Sequence, residues 1–149
     1  MMNISLMTIE DYEAVYSLWT KTSGMGLRRI DDSLPGINRF LQRNPKTNFV
    51  AKENDQLIGV ILCGHDGRRA CIYHMAVQTN HRGQGIGKAL VEAVLSALKE
   101  EEITKASLFA FATNESGNRF WQSMGFAAPK NLVYRSINLN DENVETHIL

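Results

Sequence analysis

Apolar positions along the chain follow two rhythms. Ile9, Tyr12, Val15, Tyr16 and Trp19 recur three or four apart, the spacing of one buried helix face. That helix starts at Thr8, where "TIED" offers a capping side chain and first-turn acids. Ile86, Leu90, Ala93, Val94 and Ala97, widened by Val91 and Leu95, form the stripe of a longer helix over Gly85–Lys99. "NESGNRFWQSMGF" predicts a helix capped near Asn114 and stopped at Gly125, and a short helix spans roughly Gly36–Arg43, with Pro45 just beyond. The other rhythm is that of strands. Asn3–Met7 is short. "NFVAKEN" and "QLIGVILCG" are parted by the Asn54-Asp55 turn, and "ACIYHMAV" follows the Asp66-Gly67 turn, so these three runs predict an antiparallel meander. "KASLFAFA" is apolar almost throughout, as a central strand is, and "NLVYRSINL" predicts a last strand. "TSGMGLRRIDDSLPG" reads as a loop.

The order β-α-α-β-β-β-α-β-α-β predicts one α/β domain around a mixed sheet, antiparallel first and with crossovers later. It covers residues 1–139, and the polar stretch 140–149, "NDENVETHIL", is expected to be a frayed tail. A chain of 149 residues is long enough to bury a real core. Sixteen basic and sixteen acidic residues cancel, which argues against nucleic acid as the main partner. No apolar run is long enough for a membrane span, and "MMNISLMTIEDYE" has no basic or extended apolar leader, so a cytoplasmic protein is expected. Cys63 and Cys71 flank the hairpin loop; if Gly64 pairs with Ala70, they lie opposite one another, with reduced thiols the ordinary state.

The candidate chemistry lies in "NHRGQGIGKALVEAV", where Gly83, Gly85 and Gly87 stand before a helix. A P-loop would need a glycine at Arg82 and a Ser or Thr at Ala89. The dinucleotide fingerprint would need its third glycine at Lys88, in a first βαβ unit. Two readings remain: a glycine-rich turn that only joins a strand to a helix, or free N–H groups at a helix N-terminus that cradle an anion, with Arg82 and Lys88 at the rim.

"MAVQTNHRGQGIGKALV" resembles the acetyl-coenzyme-A motif [RQ]-x-x-G-x-[GA] of the GCN5-related N-acetyltransferases (GNAT superfamily), matched by Arg82, Gly85 and Gly87. "FATNESGNRFWQSMGF" resembles the family's second block, an Asn, a helix and then Gly-Phe, and the order of elements to about Leu139 matches as well. The resemblance implies a GNAT-like fold and transfer of an acetyl group from acetyl-CoA to an amine, by direct attack and without a metal. The backbone of Met75, Ala76 and Val77 would bind the pantetheine arm. Arg82, Gly83, Gln84, Gly85, Ile86, Gly87 and Lys88 would hold the pyrophosphate, with Asn114 and Trp121 also on the cofactor side. Asn114 also suits a plain helix cap.

Catalytic positions depart from the family. Trp121 stands where a tyrosine acid is usual, and indole donates a hydrogen bond but is no acid. Either the thiolate leaves without an acid or another group acts, with Tyr134 on the last strand as a candidate. Tyr73 and His74 are the candidates on "ACIYHMAV": alternation puts Tyr73 with Met75 and Val77 and His74 on the other face, unless a bulge re-aims them. His65, Asp66 and Glu115 are further candidates, and His65, His74 and His81 do not make a convincing metal triad. The acceptor, a small molecule, peptide or protein amine, would meet the 23–36 loop, where Asp31 and Asp32 suit a cation and Arg28 and Arg29 a carboxylate. A monomer or homodimer is expected. The competing reading is an acyl-CoA-binding module without catalysis.

Overall fold

A computed structural model describes residues 1–147. A five-stranded sheet runs in the order β1 (Met2–Leu6), β3 (Phe49–Glu53), β4 (Gln56–His65), β5 (Ala70–Val77), β6 (Ala106–Leu108). β1, β3, β4 and β5 pair antiparallel in turn, and β6 runs parallel to β5. The turn between β3 and β4 has positive φ at both Asn54 and Asp55, the twist a two-residue hairpin favours.

Helices cover both faces. α1 (Tyr12–Thr20) and α2 (Leu34–Arg43) seat Val15, Leu18, Trp19, Ile37 and Leu41 against Val50, Val60, Leu62 and Ala76. α3 (Ile86–Glu100) seats Leu90, Val91, Val94 and Leu98 against Ala51, Ile58, Ile61 and Ile72 on the other face, with α4 (Glu115–Ser123) beside it. Covered on both faces, β4 is buried along nearly its whole length, which is why its sequence does not alternate. A 3₁₀ turn over Ile9–Asp11 leads into α1, and the Asp11 carboxylate accepts the Thr8 N–H at 3.0 Å. Gly125, at φ +93°, ends α4, with Phe126 N–H returning to the Trp121 carbonyl at 3.0 Å.

Four expectations change. β6 is a three-residue edge strand rather than a central one; beyond Leu108 the chain leaves the ladder, so Phe109 and Phe111 are exposed. The predicted strand over 131–139 has no ladder partner, and Leu132, Val133, Tyr134, Ile137 and Leu139 stand exposed. The 140–149 stretch does not simply fray: β7 (Glu145–His147) pairs antiparallel with β2 (Leu27–Arg28), inside the segment read as loop. Residues 148 and 149 of that stretch lie outside the described residues. The cysteines are not opposite one another: Cys63 faces Ile72 and Gly64 faces Cys71, one residue off the expected register. That slip puts the two thiols on opposite faces of the sheet, and both are free.

Candidate active site

β5 and β6 pair only as far as Ile72 and Leu108 and then part. The opening is a cleft of about 990 Å³. Met75 to Val77 floor it, Gly83 and Gly85 to Lys88 close one end, Phe109 to Phe111 with Asn114, Phe120 and Trp121 form one wall, and residues of the 22–28 loop form the other.

Backbone alternation decides which groups of β5 face the gap. Gln78 N–H donates to the Ile58 carbonyl at 2.9 Å. Every second residue, Ala76 next, therefore turns its main-chain groups to β4, while those of Met75 and Val77 face the cleft. Arg82 Nε already donates to the Val77 carbonyl at 3.3 Å. The expected backbone contributors thus separate: Met75 and Val77 present their amides, and Ala76 is spent on the sheet.

The bulge weighed from the sequence is present, and it overturns the expected sidedness. Val60 faces Ala76 and Leu62 faces Tyr73, so Ile61 alone opposes both His74 and Met75. His74 takes φ +43°, left-handed backbone for a non-glycine residue. Its displaced carbonyl accepts Trp19 Nε1–H at 3.1 Å. Tyr73 and His74 then share one face: Tyr73 packs edge-on to Phe40 of α2 at 5.8 Å between centroids, and His74 edge-on to Trp19 of α1 at 5.1 Å. Met75 lies on the α3 side, with its methyl 3.8 Å from where a side chain on Gly87 would begin. Tyr73 is therefore opposite Met75 rather than beside it, and both Tyr73 and His74 line the cleft.

At the loop, Gly83 (φ +78°) and Gly85 (φ +81°) have nothing within 4 Å of where a Cβ would stand. Gly85 precedes α3, whose first helical bond is Ala89 N–H to the Gly85 carbonyl at 3.0 Å. The N–H groups of Ile86, Gly87 and Lys88 thus have no partner within the helix. Gly87 has a different duty: its Cα face lies against the Phe120 ring, 3.4 Å from a would-be Cβ, and lets α4 approach α3. His81, Arg82 and Lys88 also line this end, whereas Gln84 does not. The cradle itself is open ground over bare backbone.

Asn114 caps α4, accepting Gly117 N–H at 3.1 Å, and reaches the cleft as well. Trp121 lines the cleft while packed between Phe120 and Phe126. Tyr134 lines it from the irregular 131–139 stretch, its ring 4.3 Å from that of Phe109. Burial pushes the Tyr73 hydroxyl up to about 12, helped by neighbouring Cys71, so it keeps its proton at neutral pH.

The other candidates fall away. His65 accepts Gly67 N–H through Nδ1 and faces Glu101 at 3.5 Å, outside the cleft. Asp66 is a turn residue, held below the usual carboxylate range by the N–H groups of Arg69 and Arg68. Glu115 is not in the lining. No metal-binding cluster occurs among the described residues. No helix among them is long and apolar enough to cross a membrane.

Sequence reasoning missed or misplaced four contributors. Phe109 and Phe111 read as strand but are cleft wall. Glu145, expected in a frayed tail, reaches the cleft beside Arg28, 3.1 Å away. Asp32, read from the sequence as one of a pair suited to a cation, is 3 % exposed, and its Oδ1 lies 2.9 Å from His74 Nε2. No local signal marks that contact across 42 residues.

Residues 12–126 match the acetyltransferase (GNAT) family model. The chain is 30% identical over 115 residues to an acetyltransferase of Pectobacterium atrosepticum, covering 77% of this chain and 80% of that protein. It is 31% identical over 107 residues to N-alpha-acetyltransferase 30 of Schizosaccharomyces pombe, covering 68% and 71%. Its fold superposes on the PaiA N-acetyltransferase of Thermoplasma acidophilum, solved in complex with coenzyme A, with a TM-score of 0.76 at 19% identity over 88% and 92% of the two chains. A sheet that parts over a helix N-terminus, matched along most of its length by this family, makes the chain a member of the acetyltransferase (GNAT) family and an acyltransferase.

Proposed function

We propose that the cleft binds acetyl-CoA and that His74 serves as base for the incoming amine. One observation carries this reading: a single gap runs from the N–H groups of Ile86 to Lys88 that have no partner within the helix, past Met75 and Val77 of β5, to His74. The residues fit the donor. The open ground over Gly83 and Gly85 leaves room for a pyrophosphate, with Arg82 and Lys88 adding charge. The N–H of Met75 or Val77 would hold the acyl oxygen as negative charge gathers there. When bound, acetyl-CoA supplies an acyl group on a thiol of ordinary pKa about 8.5, able to depart as thiolate without a dedicated acid. Trp121 in the acid position is then no obstacle, and Tyr73 acts as a hydrogen-bond donor.

The amine nitrogen bonds the acyl carbon as the C–S bond breaks; its proton goes to His74 and the C–S electron pair leaves on sulfur. The acceptor enters over the 22–28 loop, between Phe111 and the Arg28–Glu145 pair. Two free cysteines suit a reducing cytoplasm.

Thiol release from acetyl-CoA should be measured across a panel of free-N-terminus peptides, lysine peptides, polyamines and aminoglycosides. Turnover with one class, slowed by roughly 100-fold or more in His74→Gln, is the expected result. Tight acetyl-CoA binding with no turnover on any amine would overturn it in favour of a binding module.

A further inference from the structure

Resting on the reading of His74 as base, we propose that Asp32 is a positioning residue that makes Nδ1 of His74 the nitrogen that takes the proton. The argument is one of hydrogen counting. An ionised carboxylate only accepts, so the 2.9 Å contact from Asp32 Oδ1 requires the hydrogen on His74 Nε2. A neutral imidazole carries one ring hydrogen, which leaves the Nδ1 lone pair bare. Nδ1 has no hydrogen-bond partner among the described residues and is not among their enclosed, unpartnered nitrogens. His74 borders the cleft, and its Nδ1 is not enclosed.

Asp32 is held firmly enough for this task. Its second oxygen accepts Arg28 N–H at 2.7 Å, its own N–H returns to the Arg28 carbonyl at 3.1 Å, and its carbonyl accepts the Tyr12 hydroxyl at 2.7 Å. From the other side, Asn143 Oδ1 accepts the N–H groups of Ile30 and Asp31 at 2.9 and 3.0 Å. α1 and the C-terminal segment therefore fix the backbone on either side of a nearly dry carboxylate, which itself bonds only the loop's Arg28 N–H and His74 among the described residues. A loop aspartate with only a structural role would be satisfied by its own turn; this one spends an oxygen on a side chain from β5. The histidine end is fixed as well, by the bulge, by Trp19 Nε1 on the His74 carbonyl and by the Trp19 ring. The imidazolium formed by proton transfer faces Asp32 where water is largely excluded, and the attraction is stronger there than at a surface.

The tautomer can be read directly from long-range proton–nitrogen NMR of the His74 ring, assigned by its loss in His74→Gln. The wild-type enzyme is expected to show Nε2–H with a bare Nδ1. Asp32→Asn keeps the shape, should populate the Nδ1–H form, and should lower kcat by about tenfold or more on the fastest amine of the panel. Its affinity for acetyl-CoA and its melting point should stay close to wild type. A wild-type ring in the Nδ1–H form overturns the inference even if Asp32→Asn fails to fold. So does Asp32→Asn with unchanged tautomer and kcat. An undiminished kcat in His74→Gln instead overturns the base assignment beneath it, whereas a slow His74→Gln beside a fast Asp32→Asn overturns this inference alone.

Discussion

Gly85 separates the two readings of the glycine loop, because its steric and electrostatic consequences differ. A Cβ at residue 85 meets nothing within 4 Å, so no neighbour must move in the absence of ligand. The backbone sits at φ +81°, where any L side chain costs roughly 1–2 kcal/mol. Gly85→Ala and Gly85→Glu should therefore lose the same small stability, a fall in Tm of about 2–4 °C per kcal/mol at this size. They should part in binding. A glutamate carboxylate about 5 Å from a phosphate is repelled by roughly 1–3 kcal/mol, between water-like and surface-like dielectric. That is about a 5- to 150-fold weaker Kd for Gly85→Glu than for Gly85→Ala. Calorimetric titration with coenzyme A reads the difference, with thermal melting of the apo variants as the control. If Gly85→Glu binds coenzyme A as Gly85→Ala does, the phosphates do not lie on this loop. If Gly85→Ala alone abolishes binding, backbone conformation rather than open space is what the glycine supplies.

Trp19→Phe should lower stability by about 1–3 kcal/mol, since a fully buried side chain shrinks and the His74 carbonyl loses its donor. It should also lower kcat while leaving coenzyme A affinity intact, checked by urea melts and steady-state kinetics; an unchanged kcat would mean the bulge does not need this bond. Stability should fall as pH rises above about 9. Burial pushes the Cys63 thiol up from 9.0 to about 12, and Tyr12 from 10.0 to about 12. Both raised groups favour the native state below their ordinary pKa values, and the advantage is lost as pH climbs toward 12, because the unfolded chain releases its protons first. Urea midpoints for wild type and Cys63→Ala between pH 8 and 10.5 test this, and the variant should show the shallower decline; parallel curves would refute the part assigned to Cys63.

What could be read from the sequence depended on how far apart the cooperating residues lie. The anion cradle is contiguous, Arg82 to Lys88, so local glycine chemistry is enough to find it. α1, α3 and the meander were legible because burial imprints its period on each segment separately. The proton-transfer half has no such imprint. His74 depends on a two-against-one mismatch with β4, which is a property of two strands and reverses the side that alternation assigns to Tyr73. Asp32 looks like part of a solvated charged loop until the chain from Asn143 onward folds over it.

The 131–139 stretch shows the same limit from the opposite direction. Its alternation says which side chains would share a face, but strand formation also needs a free edge, and β6 ends at Leu108. Both the missed dyad and the surplus strand come from one cause: pattern within a segment reports burial, while pairing between segments is decided by where each chain stops. That stopping point is also functional here. Had β6 continued beside β5 past Ile72, the amides of Met75 and Val77 would have been consumed in a ladder, and no cleft would separate His74 from the glycine loop.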